Sequence, residues 1–338
     1  MATQLSTGTI GAASPSADNF PANHKFYSAK MLEALQPAEM YDKWGDVEGI
    51  PANNSNTIVK NKISELSTLE GSALTEGTTP SEQSFSLTRI EKSLDQYGGY
   101  IRTSDRLSEE SINGVTAEFS KRLGQQAART MNLVRRDGLL GGSNVRYQAG
   151  AVDEDGITTQ LSDANFEADM DFILDAFRDA YVRPFAPMLT GSPNTATTPI
   201  PNGYVVVVPV EAVDLIRAST SFNDVEDYGG QTSLLHENEF GNYRNFRFIY
   251  DTEVKTNLNA TSDVIAQCLV FGQGSEDKAY CTVDLAGGNV QMITKPLGSS
   301  GSADPLNQRA SMGWKAKQAT FIIQDTYMFR WEIKIDAT

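Results

Sequence analysis

Val115, Phe119, Leu123, Ala127, Met131 and Val134 recur at helical spacing and draw a single apolar stripe through the chain. The spacing predicts one long helix over 114–140, with Asn113 as N-cap and Gly141-Gly142 as the stop signal. At 1.5 Å per residue such a helix runs for roughly 40 Å. Its polar side carries Lys121, Arg122, Arg129, Arg135 and Arg136. A second amphipathic helix is predicted over 165–182, where Phe166, Met170, Ile173, Leu174, Phe177 and Tyr181 share a face and Pro184 ends the pattern. Shorter helical patterns fall at 26–40, 104–111 and 210–217. Strands are predicted at 57–60 and 84–90, then at 204–208, 246–250, 264–271, 279–285 and 290–295, and finally over 311–324 and 327–335. The order of these parts is an α+β pattern, with a compact middle set between the long helix and the terminal strands. No internal repeat is visible.

Two segments depart from this packed pattern. Residues 1–24 are mostly Ala, Ser, Thr, Gly and Asn, with too little apolar surface to offset the entropy of ordering, and read as a flexible arm. Residues 50–95 hold two strand-like stretches separated by a long polar tip. Such a hairpin cannot form a core of its own, and at roughly 3.3 Å per residue its strands project for several tens of Å. It is expected to become ordered on a neighbouring subunit. Between it and the long helix, the glycines of Gln96-Tyr97-Gly98-Gly99-Tyr100 are expected to relax the backbone.

Composition narrows the function classes. The 338 residues are 40% hydrophobic and 21% charged, enough for a sizeable core. The longest purely apolar run, Val205 to Val208, is far too short to cross a membrane. The N-terminal stretch has neither the basic start nor the apolar segment of a secretory signal, so the chain reads as made in the cytoplasm. The formal charge is −15, with 8 − 22 = −14 over residues 151–300 and 8 − 5 = +3 over 101–150. A protein that grips nucleic acid directly carries a strong basic footprint. This chain does not, and only the 101–150 segment could offer a mildly basic face.

Candidate chemistry is sparse. Cys268 and Cys281 are too few for a disulfide framework or a zinc cage, and are expected as reduced core thiols on neighbouring strands of one hairpin. The histidines, His24 and His236, lie in the arm and in a polar turn without evident partners for a nucleophile. Asp153-Glu154-Asp155-Gly156 echoes the start of a calcium loop, lacks the later bidentate Glu, and reads as a turn. There is no phosphate loop, dinucleotide fingerprint or His-Glu-x-x-His. No catalytic, cofactor-binding or metal residue is assigned. The many carboxylates leave a glycosidase-like pair open by count alone, although they sit mostly in surface-like turns such as 223–227.

Several short motifs in a fixed order carry a resemblance. They are Phe26-Tyr27-Ser28-Ala29-Lys30-Met31-Leu32; Leu74-Thr75-Glu76-Gly77 with Pro80; and Gln96-Tyr97-Gly98-Gly99-Tyr100 leading to Ser104-Asp105. Val208-Pro209 and Tyr228-Gly229-Gly230 follow, and then Gly301-Ser302-Ala303-Asp304-Pro305-Leu306-Asn307-Gln308-Arg309 with Gly313-Trp314-Lys315. In this order the chain resembles, over about 26–335, the major capsid proteins of tailed phages, in particular the family typified by the capsid protein of coliphage N-four. The resemblance implies the capsid fold of phage Hong Kong ninety-seven. It would comprise an N-terminal arm over 1–48, an extended loop over 49–96, a peripheral domain over 97–162 with its spine helix at 114–140, an axial domain over 163–300, and closing strands of the peripheral domain over 301–338. Some phages of this fold cross-link subunits through a lysine and an asparagine. Lys60, Lys62 and Lys92 lie in or near the loop, but no motif match carries that chemistry here.

On this reading the function is structural. Copies of the chain would assemble through pentamers and hexamers into an icosahedral head that encloses double-stranded DNA, with portal and scaffolding proteins, and a decoration protein, as further partners. Its place would be the virion, after assembly in the host cytoplasm. Glu70, Glu76 and Glu82 at the loop tip would seek cations on a neighbour, with Arg122, Arg129, Arg135 and Arg136 of the spine helix as the candidates. Two other readings remain open at this stage: a nanocompartment shell that encloses a cargo enzyme, and a carboxylate-based hydrolase. A surface adhesin or pilus subunit is disfavoured by the missing signal.

Overall fold

The computed structural model describes residues 40–51, 55–63, 66, 73–74, 76–79, 82–105, 115–185, 202–225, 238–274, 277–285, 290–299 and 304–335. The apolar stripe forms helix α1, Val115–Leu139. Leu123, Ala127, Ala128 and Met131 on its inner face pack against Met312, Trp314 and Ala316. Those three alternate along strand β14, Arg309–Ile322, which sits centrally in a five-stranded sheet. Its neighbours are β12 (Tyr280–Leu285), β13 (Gln291–Lys295) and β4 (Asp95–Ser104), all antiparallel to it. Strand β1 (Asp46–Ile50) adds to β12 in parallel.

The glycines expected to relax the backbone lie inside β4, where they allow close approach instead. A Cβ on Gly98 would stand 2.7 Å from the Trp314 carbonyl oxygen, and one on Gly99 would stand 2.7 Å from Gln126 Oε1 of α1. Gln126 Oε1 also accepts a 3.1 Å hydrogen bond from Trp314 Nε1, which joins helix to sheet at the same point.

The second sheet has eight strands in the order β5 (Val145–Tyr147), β15 (Met328–Ile335), β11 (Val264–Phe271), β6 (Tyr204–Pro209), β9 (Phe246–Asp251), β8 (Glu239–Tyr243) and β7 (Asn223–Asp224), with β10 (Thr256–Leu258) beside β11. Helix α2, Asp163–Asp179, is capped by Ser162 and lays Phe166, Met170, Ile173, Leu174 and Phe177 on one face of this sheet. The short α3, Val213–Arg217, follows β6 and buries Ile216 in the same core. The opposite face packs Val205, Val207, Ile249, Leu269 and Phe271 against Met40, Tyr41, Trp44, Leu139 and Tyr280, so this core joins the two sheets. Burial on both faces is the reason β6 is a continuous valine run rather than an alternating one.

Sheet membership cuts across the segment boundaries expected from the sequence. Strands β12 and β13 fall within the expected 163–300 unit but pair with β14 beneath α1. Strands β14 and β15 are consecutive in the chain, yet β15 leaves for the eight-stranded sheet, beside β11. The same division corrects the expectation for the cysteines: Cys268 is on β11 and Cys281 on β12, in different sheets, and both are free and buried. Burial pushes the Cys268 thiol well above its ordinary range and the Cys281 thiol up to about 12, so the thiolate is scarce in both. Native protein is therefore expected to react with a thiol reagent at least about a hundredfold more slowly than the unfolded chain, which should label at both positions. Rapid labelling of the native protein would contradict this burial.

The acidic run at 153–156 is a turn, as expected. Asp153 Oδ1 accepts from the Gly156 N–H at 2.9 Å, and Asp155 Oδ1 accepts from the Ala260 N–H at 2.7 Å. The helical patterns at 26–40 and 104–111, the Asn113 cap and both histidines lie almost wholly outside the described residues.

Candidate assembly surfaces

Strands β2 (Thr57–Ile63) and β3 (Leu87–Ser93) form a two-stranded sheet of their own, paired from Thr57↔Ser93 to Ile63↔Leu87. The base of this hairpin is anchored to the body. Ile58 and Ile90 pack against a core of Ile50, Leu94, Cys281, Val283, Ala319 and Phe321. Lys60 makes an ion pair with Glu48 of β1. The far face is turned to solvent: Val59, Ile63 and Leu87 are exposed, with Ile63 and Leu87 directly opposite each other. Beyond the strands, Leu66, Leu74 and Phe85 are exposed as well, Leu74 at 78% and Phe85 at 65%. A lone two-stranded ribbon is marginally stable in water. Scattered exposed apolar residues are ordinary, but a run of them along one unsupported ribbon marks a contact surface.

Glu76 and Glu82 are exposed on this arm, as expected of tip residues, and Glu70 lies outside the described residues. The four arginines proposed as their partners are not equivalent. Arg122 is exposed on α1. Arg129 is exposed, and its Nε stands 2.8 Å from a carboxylate oxygen of Glu253. Arg136 donates to the Glu253 backbone carbonyl and, at 2.8 Å, to Asp137. Arg135 points into the subunit, 3.6 Å from Asp42 and 3.9 Å from Asp284 of β12. Arg135 and Arg136 thus hold α1 to its own subunit, and the cations α1 turns outward are Lys121, Arg122 and Arg129. Helical periodicity marks which residues leave the apolar stripe, but it does not tell a solvated flank from one that meets a buried acid.

A second basic surface escaped the sequence reading. On β14, Arg309, Ser311, Gly313, Lys315 and Lys317 point away from α1, because Ala310, Met312, Trp314 and Ala316 alternate with them toward the helix side. Their cross-strand partners share that face. Ser311 pairs with Arg102 on β4 and with Lys295 on β13, and Gly313 with Tyr100 and Ile293. Arg102, Lys295, Arg309, Lys315 and Lys317 therefore stand together around Tyr100 and Ile293. No described residue of β4, β13 or β14 brings a carboxylate to this face. Arg102 and Lys295 are far in sequence from the three cations of β14, so only the strand register reveals the cluster.

The buried carboxylates serve as structural links. Asp169 on α2 accepts from Arg146 Nε at 2.8 Å, from the Ala149 N–H at 3.1 Å and from Trp331 Nε1 at 3.1 Å. Glu239 receives Arg247 Nη1 at 2.6 Å. Burial pushes the Asp169 carboxyl above its usual range, against the pull of Trp331, Arg146 and Ala149. A groove of about 840 Å³ lies between the hairpin and the body, lined by Lys60, Lys62, Asp179, Tyr181, Asp277 and Tyr327 among others. Among the described residues, no group of three or more His, Cys, Asp and Glu is placed to hold a metal ion.

Neither family models nor curated proteins match this chain by sequence. Solved structures match it by fold. The capsid of Ralstonia phage GP4 aligns over 89% of this chain and 92% of its own, with a TM-score of 0.64 and 11% identity. The capsid of cyanophage P-SCSP1u aligns over 87% of each chain, with a TM-score of 0.58 and 12% identity. The head protein of Helicobacter pylori bacteriophage KHP40 aligns over 88% of each, with a TM-score of 0.58 and 10% identity. The chain has the α+β fold of tailed-phage capsid subunits, the Hong Kong ninety-seven type.

Proposed function

We propose that this chain is the major capsid protein of a tailed phage, which assembles with copies of itself into an icosahedral head around double-stranded DNA. The observation that carries the reading is the two-stranded β2–β3 arm, which leaves the subunit with its apolar side chains uncovered on a body of capsid fold. An arm of this kind is completed by another copy. In this reading α1 is the spine helix of the peripheral domain, with the five-stranded sheet, and the eight-stranded sheet under α2 is the axial domain. Pentamers and hexamers form by head-to-tail ring contacts that close when the rotation permits. The order of motifs from Phe26 to Lys315 supports the finer placement near the capsid proteins of phage N-four and its relatives. Scaffolding and portal proteins are assigned as further partners of the assembling shell. The place of action is the virion, after assembly in the host cytoplasm.

Size-exclusion chromatography with negative-stain electron microscopy of the purified chain tests this. The expected result is closed shells, or free pentamers and hexamers. A chain that stays monomeric at high concentration and in the presence of scaffold would overturn it.

A further inference from the structure

We infer that a pocket between the end of α1 and the start of β4 binds a hard, oxygen-seeking divalent cation, calcium before magnesium. It opens on the side of the five-stranded sheet that faces α1, opposite the basic face, and needs no second copy of the chain. The alternation of β14 that turns Met312, Trp314 and Ala316 toward α1 continues with Gln318 and Thr320. Polar residues thus take core positions under the last turns of the helix. Both are buried, Gln318 at 1% exposure and Thr320 at 5%. Neither amide atom of Gln318, nor the Thr320 hydroxyl, has a hydrogen-bond partner among the described residues. Buried polar atoms are seldom left unpaired in a folded protein, so a cluster of them points to a ligand that completes it.

The same two side chains line a pocket of about 260 Å³. It closes where Gly138 lets α1 approach β14: a Cβ there would stand 3.1 Å from the Thr320 carbonyl oxygen. Two carboxylates line it as well. Asp95 is the direct cross-strand partner of Gln318 and shares its face. Asp137, in the last turn of α1, accepts from Arg136 Nε at 3.1 Å and Nη2 at 2.8 Å through Oδ1 alone, which leaves Oδ2 for another cation. The negative end of the helix dipole falls at the same place. An amide oxygen, a hydroxyl and two carboxylates make a donor set of oxygens, which suits calcium or magnesium rather than a soft metal. Mixed ligands without octahedral order favour calcium, with waters filling the rest of its shell. Lys92 is the one cation in the lining; it is exposed and in no ion pair with a described residue, so it can turn away to solvent. Leu94 alone separates Asp95 from β3, so an ion held here ties the root of the arm to α1 and β14.

Terbium luminescence of the full-length, unassembled chain tests the assignment. Tyr97 lines the pocket and serves as the antenna for a terbium ion bound there. Emission under tyrosine excitation is expected to saturate with terbium and to be displaced by calcium, with a calcium Kd of about 10⁻⁴–10⁻³ M, the weak end of the range for oxygen-ligand sites. The double variant Gln318→Leu, Thr320→Val and the single variant Asp95→Asn are each expected to weaken calcium binding more than about tenfold. Lys92→Met removes the competing charge and should tighten it. Calcium should also raise the melting temperature of the wild-type chain and leave that of the double variant unchanged. Asp95 is exposed, so Asp95→Asn gives the same reading even where the double variant does not fold. Emission that never saturates, with no calcium-dependent rise in melting temperature, would leave the pocket to water and overturn the inference. Saturable binding that survives Asp95→Asn and the double variant would place the ion elsewhere on this acidic chain and overturn it equally.

Discussion

Joining Leu66 directly to Gln83, with residues 67–82 removed, is expected to give a subunit that folds but assembles shells at less than about a tenth of the normal yield. The arm contributes to the subunit's own core through its root, where Ile58 and Ile90 meet Leu94, Val283 and Phe321. The pairs from Thr57↔Ser93 to Ile63↔Leu87 remain in the shortened hairpin. Among the described residues, no core cluster draws a residue from 67–82. Stability should therefore change by no more than about 0.5 kcal/mol, the range of surface substitutions. Assembly should fall more than about tenfold, because the proposed contact between copies loses Glu70, Glu76 and Leu74, and Glu82 with them. Melting curves and particle counts by electron microscopy separate the two effects. Normal shells from the shortened chain would remove the arm from the mechanism of assembly. A subunit that no longer folds would show instead that the tip belongs to the monomer's own core.

The elements that sequence periodicity revealed are those whose burial is one-sided or complete. Phe119, Leu123, Ala127 and Met131 marked α1 because one covered face repeats every three or four residues. The run at 264–271 matched β11 because a strand buried on both sides is continuously apolar. β4 escaped because Gly98 and Gly99 interrupt its alternation, and the reason for them, the closeness of Trp314 and Gln126, lies on other elements. The parting of β14 and β15 into different sheets was illegible for a related reason. Alternation says that a strand has a covered face, not which partner covers it. The same limit separated the arginines of α1: the acids that draw Arg135 inward, Asp42 and Asp284, both lie far from it along the chain. The basic sheet face is the clearest case, since Arg102, Lys295 and Lys315 become neighbours only through the pairing of β4 and β13 with β14.

Replacing Asp169 by alanine is expected to cost about 3–5 kcal/mol, the range for removing one member of a buried ion pair. The side chain is fully buried on α2, and its two oxygens are shared among Arg146, the Ala149 N–H and Trp331 Nε1. Those donors belong to β5, the turn after it and β15, so one carboxylate ties α2 to the edge strand of the eight-stranded sheet and to its neighbour. Without it, the Arg146 charge and the indole N–H keep their burial and lose their acceptor. Asp169→Asn retains the shape and one oxygen, so its loss should be smaller, and the comparison of the two by denaturant unfolding at constant pH isolates the hydrogen bonds. Their pH dependence follows from the upward shift of the Asp169 carboxyl, caused mainly by burial. Between the ordinary carboxylate range and that raised value, the folded protein holds a proton that the unfolded chain has released. Stability from this group is then fully present below the unfolded pKa and is lost as pH rises through the folded one. Asp251 and Glu332 shift in the same direction but are common to both proteins and cancel in the difference. The deficit of Asp169→Asn relative to wild type should accordingly be largest at acid pH and narrow as pH rises. A deficit that widens with pH would mean that Arg146 holds the carboxylate ionised throughout, and that the charge, rather than the hydrogen-bonded shape, anchors α2 to the sheet.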